Sequence, residues 1–434
     1  MRLNHWVASV GILGVLASGT AIIGAPAAHA QDCGHTVGAV LSLTGSYGAF
    51  GVPISKAAQM GVEQVEEARA AIGVGCTLKY DVRDSQTQNS VAIDAATKLI
   101  DLGNVTALVG PISSGITAPL LTSVTVERDV VVVATASTSS TFTIMGREGK
   151  TKGLFFRTLP ADSLQAVATA KMAWDAGLRK PAIIHLNNDW GRNNQAEFVR
   201  SFVALGGEIG NVVSFNPDQP SYRSEVNKAL EGNPDSLYLL SQPQDGTKRI
   251  RDWIRFGGAP KYVFPQGMNS TEFVETIGEE LLKDGWFISP GTPDTPSIVT
   301  MESDYQKRWD LSPKGPGRTS GYDSGVLISL AMVLSDVRGI DIKGSTLAKH
   351  IREITGAEGE AVFAGVEGFK KAIRLMQAGT KIRYVGATGP IQFDEYGDVA
   401  VPFVAMKFID GDFVDQHGIS LEEVAAVRAL AGDS

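Results

Sequence analysis

The sequence predicts an α/β protein of two lobes, each built on a doubly wound parallel sheet. Three observations carry that prediction. Short apolar runs of strand length alternate with helix-period segments through residues 36–135. The same alternation restarts after Leu154 and continues to about residue 265. No long linker separates the two series, so they should face each other across a cleft.

The elements follow in order. "TVGAVLSL" reads as a buried strand, and residues 53–70 carry apolar positions at helical spacing. "TLKYDVRD" is a strand, and "NSVAIDAATKLIDLG" a helix with an Asn/Ser cap and a Gly stop. "VTALVG", residues 114–128 and "VVVVATA" complete a βαβαβαβ series, which favours a parallel sheet covered by helices. After "LFFRTLPAD", Asp162 and Gln165 predict a capping box for a helix ending at Gly177. "PAIIHL", a helix at 192–205, "EIGNVVSF", a helix at 221–231, "SLYLLS", a helix at 246–256 and "YVFPQG" form the second series. Helices near 298–311, 320–336 and 345–355 come next, and "SPKGPGRTS" (312–320) reads as an exposed loop. The tail alternates with turn signals at Tyr396-Gly397-Asp398 and Asp410-Gly411-Asp412, which predict hairpins.

The 434 residues are 43% hydrophobic and 20% charged, enough to build two sizeable cores. Residues 1–30 read as a secretory signal: one Arg, an apolar stretch, then Ala28-His29-Ala30 as a cleavage site after Ala30. The stretch is close to membrane-spanning length, but its Ala-rich, Pro-broken end favours cleavage over anchoring. Removing it takes away one Arg and no acid, so the net charge of −8 becomes about −9. An acidic chain is a poor match for nucleic acid or anionic membranes. Cys33 and Cys76 are the only cysteines. Each precedes a predicted strand, so adjacent parallel strands would bring both thiols to one sheet edge, and export favours a disulfide.

Function should lie at the carboxyl ends of the strands, where open α/β sheets bind ligands. Three loops fall there: "LTGSYGAFG" (43–51), "GPISSG" (110–115) and "TASTSSTF" (135–142). All are rich in Ser, Thr and Gly, and none contains a charged residue. Unpaired backbone N–H groups and hydroxyls can hold a small anion without a full cation. Ser113, Ser114, Ser137 and Thr138 are the candidates.

"GAVLSLTGSYGAFG", "VGPISSG", "ATASTSS", "FFRTLPAD", "NDWG", "GYDS" and "YVGATGPIQFDEYGD" occur in that order. Together they resemble the periplasmic leucine/isoleucine/valine-binding proteins, receptors of branched-chain amino acid and amide ABC importers. The resemblance spans residues 35–416. It implies a type I periplasmic binding fold, with three hinge crossings near 157–160, 288–291 and 399–403. The expected lobes are 31–158 plus 289–400 and 159–288 plus 401–434. It also implies a periplasmic monomer that delivers a small ligand to a membrane permease. The ligand carboxylate should meet Ser114, Ala136 and Thr138. Phe50, with Tyr47 nearby, and Trp190 should enclose the apolar part. The family's ammonium-binding Glu is Gln266 here. A neutral amide supplies no countercharge, so Asp189, Glu272 or, preferentially, Asp323 beside Tyr322 should replace it. Otherwise the ligand is an amide, an aromatic acid or another organic acid without an ammonium.

Other chemistries fit poorly. "GSYGAFG" spaces its glycines wrongly for a dinucleotide turn, and there is neither a P-loop nor a G-x-S-x-G elbow. His35, His185, His350 and His417 have no metal-ligand spacing. The expectation is a binding protein, not an enzyme, with no cofactor and no metal. A periplasmic ligand sensor on the same fold remains a rival to the importer receptor.

Overall fold

The computed structural model describes residues 33–291 and 294–432, so the predicted signal segment lies outside the described residues. Strands β1 (Gly34–Leu41), β2 (Thr77–Asp84), β3 (Ala107–Val109), β4 (Val131–Ala134) and β5 (Phe155–Arg157) form a parallel sheet in the order β2-β1-β3-β4-β5. Apolar residues on both faces make this possible: every residue of β3, β4 and β5 is buried. Strands β6 (Pro181–Leu186), β7 (Val212–Phe215), β8 (Ser236–Leu240), β9 (Tyr262–Phe264) and β10 (Gly285–Pro290) repeat that order as β7-β6-β8-β9-β10. Further on come β11 (Glu360–Val362), β12 (Ile382–Gly386), β13 (Gly389–Pro390), β14 (Phe403–Ile409) and β15 (Asp412–Ile419). The β14–β15 hairpin adds antiparallel to β10, while β11, β12 and β13 make a small separate sheet.

Two large apolar clusters underlie the lobes. One contains residues from Val37 to Phe156 and again from Met301 to Val399. The other runs from Ala166 to Ile288 and from Phe403 to Val427. A third cluster fills the opposite face of the first sheet, including Val40, Leu108, Val132 and Phe155.

The helix after the first strand of each sheet sits unusually close to that strand's end. A Cβ on Gly51, in helix Gly48–Ile72, would lie 1.6 Å from the Ser42 carbonyl oxygen. One on Gly191, in helix Asp189–Ala204, would lie 2.0 Å from the Leu186 carbonyl oxygen. Both glycines permit the backbone approach that points the loop and first helical turn at the cleft.

The disulfide is present. Register pairs Gly34 with Thr77, which leaves Cys33 and Cys76 side by side with Cα atoms 5.0 Å apart. Closing that 43-residue separation is worth about 4 kcal/mol in the chain-entropy account.

Three expectations are corrected. Asp162 and Gln165 form no capping box: the helix Asp162–Asp175 has Ala161 at its N-cap, with no side-chain cap bond. The helix 89–103 ends on Asn104 in the left-handed conformation, not on its glycine. No hairpin forms at Tyr396-Gly397-Asp398, because that turn docks on β5: Arg157 N–H donates to the Gly397 carbonyl at 3.0 Å.

Candidate functional site

A cleft enclosing about 620 Å³, open solvent included, lies between the two sheets. The repeated sheet order explains its wall. Loops after β1, β3 and β4 contribute Tyr47 and Phe50, then Ser113 and Ser114, then Ala136 and Thr138. Segments after β6, β8 and β9 contribute Trp190, Gln242 and Gln266. Equivalent strand ends of both lobes thus converge at their switch points. Leu159, Gln165, Pro316 and Gly317 complete the wall beside Ile54 and Ile112.

The small-residue pole is held rigidly. Thr117 and Ser137 share a hydroxyl hydrogen bond of 2.6 Å, and Ser137 Oγ donates to the Pro111 carbonyl at 3.0 Å. Ser137 therefore joins the β3 and β4 loops and is absent from the cavity wall, which corrects its reading as a ligand contact. Ser114 Oγ accepts from Ser139 N–H at 3.3 Å, so its own hydrogen is free to donate. Behind this pole Arg157 is fully buried. It donates to the Ser139 carbonyl at 2.8 Å and the Ser137 carbonyl at 3.3 Å, and pairs with Asp398 at 2.6 Å. These contacts turn the Ser137 and Ser139 carbonyls toward Arg157.

On the aromatic wall, Trp190 lies in a first helical turn fixed by Asn188, whose Oδ1 accepts from Gly191 N–H at 2.8 Å. The Tyr47 hydroxyl is surrounded by the side chains of Asn188, Gln242 and Ser113, and burial pushes its pKa up to about 12. It is a neutral phenol at physiological pH.

Among the described residues, no charged side chain lines the cavity. Gln266 does, in the short 3-10 turn Gln266–Met268. The acids offered in its place lie elsewhere. Glu272 is exposed on helix Thr271–Ile277. Asp189 accepts from Ser139 Oγ at 2.7 Å. Asp323 is fully buried and occupied: it accepts from Tyr384 OH (2.7 Å), Ala387 N–H (2.9 Å) and both Thr388 N–H and Oγ1 (2.7 Å each). It fastens the turn after β12 and is not a cavity residue. Its "GYDSG" segment is a packing motif. A Cβ on Gly321 would meet the Ile54 carbonyl at 2.8 Å, and one on Gly325 the Ala58 carbonyl at 2.4 Å.

Sequence reasoning missed Leu159, Gln165, Gln242, Pro316 and Gly317 as cavity residues. Only "FFRTLPAD" signals Leu159, Gln165 reads from its spacing as a helix cap, and the segment 312–320 reads only as an exposed loop. Among the described residues, the single grouping of possible metal ligands is His35, Cys76 and Asp336, and the Cys76 sulfur is committed to the disulfide.

This chain belongs to the periplasmic binding protein family, whose profile matches residues 35–388. It is 25% identical to the chemotactic signal transduction system substrate-binding protein BasB of Halobacterium salinarum, over 82% of each chain. It is also 25% identical to the Leu/Ile/Val-binding protein BraC3 of Rhizobium johnstonii, over 57% of this chain and 65% of that one. A leucine-binding protein from Thermotoga maritima superposes with a TM-score of 0.73 at 19% identity, covering 90% of this chain and 99% of that one. A benzoate-bound solute-binding protein of an R. palustris ABC transporter gives 0.67 at 17%, covering 89% and 96%. The fold is that of the type I periplasmic binding proteins: two α/β lobes with parallel sheets. Among the described residues, no helix is long and apolar enough to cross a membrane.

Proposed function

We propose that the protein is an exported solute-binding receptor of an ABC importer, which takes a small carboxylate-bearing ligand into the interlobe cavity. The carboxylate would rest on Ser113, Ser114, Ala136 and Thr138, through hydroxyls and backbone N–H groups. Phe50 and Trp190 would enclose the apolar body, with Tyr47, Gln242 and Gln266 meeting its polar edge. The lobes, 31–158 with 289–400 and 159–288 with 401–434, would close about the crossings near 157–160, 288–291 and 399–403. The closed monomer would then dock on the permease in the periplasm.

The observation that carries the choice of ligand is the uncharged wall. An α-ammonium enclosed there would lose its hydration with no carboxylate in contact, at a cost of several kcal/mol. An organic acid without an ammonium is therefore favoured over a branched-chain amino acid. Relatives of both kinds support the general reading, since leucine-binding and benzoate-bound proteins share the fold. Calorimetry with matched pairs, leucine against 4-methylpentanoate and phenylalanine against 3-phenylpropanoate, tests it. The deaminated acid should bind more tightly, and Gln266→Glu should shift preference toward the amino acid. Tighter binding of the amino acids by the unaltered protein would reverse the ligand choice.

The similarity to a chemotactic binding protein supports a second reading, in which the same closure signals to a membrane receptor. Neighbouring importer or receptor genes would separate the two.

A further inference from the structure

The helix Asp162–Asp175 begins one layer behind the cavity, and its first turn is unsatisfied. Asp162 is fully buried. Its Oδ1 accepts from Asn194 Nδ2 at 3.0 Å, and Asn194 Oδ1 accepts from Tyr238 OH at 2.6 Å. Among the described residues, neither its Oδ2 nor Oε1 of Gln165, one turn on in the cavity wall, makes a well-formed hydrogen bond, although the Thr138 side chain comes near enough to the carboxyl group to favour its ionised form. Buried polar atoms are rarely left so. The same turn is tied to the anion pole. Asp162 N–H donates to the Thr138 carbonyl at 2.7 Å, and the Thr138 side chain lies beside the carboxyl group. A ligand carboxylate on Ser114 and Thr138 would therefore approach a second carboxyl group in a water-poor site. Two such groups do not both ionise; one retains a proton.

We propose that the cavity captures a carboxylate ligand together with one proton, held on Asp162, so that Asp162 distinguishes anions from neutral isosteres. This rests on the carboxylate-receptor reading above. The proton comes from solvent, and no covalent bond between heavy atoms changes. Protonation converts one carboxyl oxygen from acceptor to donor, the form a neighbouring anion stabilises.

The groups facing Asp162 define the balance. Arg157, at the end of β5, favours its ionised form, and Asp189, opening helix Asp189–Ala204, disfavours it. Tyr47 and Tyr238 are phenols that burial keeps neutral. Burial is the largest influence and pushes the Asp162 pKa up to about 7 before any ligand arrives. A bound anion raises it further. The complex then holds more protons than the free protein, so binding weakens as pH rises above that value.

Calorimetry on the protein decides the matter, with acetate as the smallest carboxylate, the tightest acid of a wider panel, and the matching primary amide. Titrations would span roughly pH 5.5 to 9, in two buffers of different ionisation enthalpy. The expected result is uptake of about 0.8 proton per acid near pH 7.5, rising toward one by about pH 8.5, where affinity falls about tenfold per pH unit. The amide should show neither effect. Asp162→Asn should bind the acid with a flat profile and no proton uptake. An acid that binds without proton uptake overturns the proposal and leaves the receptor reading intact, as does a pH slope that persists in Asp162→Asn. If no carboxylate binds, the receptor reading falls and the proposal with it. Proton uptake by the unaltered protein decides the case even if the variant folds poorly.

Discussion

Ser139 donates its hydroxyl hydrogen across the cleft to Asp189 Oδ2 at 2.7 Å. From the same helix as Asp189, Asn193 Nδ2 donates to Ser139 Oγ at 2.7 Å and to Thr141 Oγ1 at 2.9 Å. None of these residues lines the cavity. They tie helix Asp189–Ala204 to the segment after β4, and under the proposed hinge closure they would hold the closed form. Asp189→Ala should weaken ligand binding by about 3–10-fold, the value of one or two hydrogen bonds present only in the closed form. Small-angle scattering should show a larger radius of gyration for the unliganded variant. An unchanged radius and affinity would remove this cluster from the closing mechanism.

Ser114→Ala with Thr138→Ala removes two of the three cavity hydroxyls of the proposed anion pole. Binding of an acid should weaken by about 1–3 kcal/mol, since hydrogen bonds to a charged group are lost. Calorimetry at fixed pH measures this directly, and unaltered affinity would place the carboxylate elsewhere.

Arg157 and Asp398 form a buried ion pair at the back of the same pole. Arg157→Met strands a shielded carboxylate and releases the Ser137 and Ser139 carbonyls, so it should destabilise the protein by about 3–5 kcal/mol. Pairing it with Asp398→Leu should recover part of that loss in denaturant unfolding. Purely additive effects would deny the coupling.

Asp162 should also shape stability against pH. Its pKa is raised by burial to about 7 in the folded protein, above the ordinary value of 3.8. Between those values the folded state holds a proton that the unfolded chain has released, so stability falls as pH rises through the window. The effect is on the order of 4 kcal/mol, and it is fully present as stabilisation only at the acidic end. Asp162→Asn should flatten this part of the profile in urea unfolding at a series of pH values. An equally steep profile in the variant would assign the slope to other groups.

The placement of the Ser/Thr-rich loops at the cavity was legible because it follows from local sequence. Such charge-free runs follow apolar strands and end at the sheet's carboxyl edge, and Ser113, Ser114, Ala136 and Thr138 all line the cavity wall. Asp323 misled because its flanking glycines serve helix packing against Ile54 and Ala58, a contact remote in sequence. Asp162 and Gln165 have capping-box spacing, yet the fold turns them away from their own backbone toward Asn194 and the cavity. The turn at Tyr396-Gly397-Asp398 looked like a hairpin because its true partner, Arg157, lies 241 residues away. Pro316 and Gly317 became cavity residues only through the packing of the helix Arg318–Arg338. Local patterns placed strands, loops and the disulfide; residues defined by long-range convergence were not readable.

The central claim is that the cleft holds a small carboxylate, and thermal unfolding of the purified protein tests it most directly. The panel would contain aliphatic and aromatic carboxylic acids, the matching α-amino acids and their amides. At 100 times its dissociation constant, a ligand that binds only the folded state adds about 2.7 kcal/mol, a clear rise in Tm. The account predicts that rise with one or more acids lacking an ammonium, and its loss in Trp190→Ala. A rise confined to ligands without a carboxylate, or no rise with any member of the panel, would contradict it.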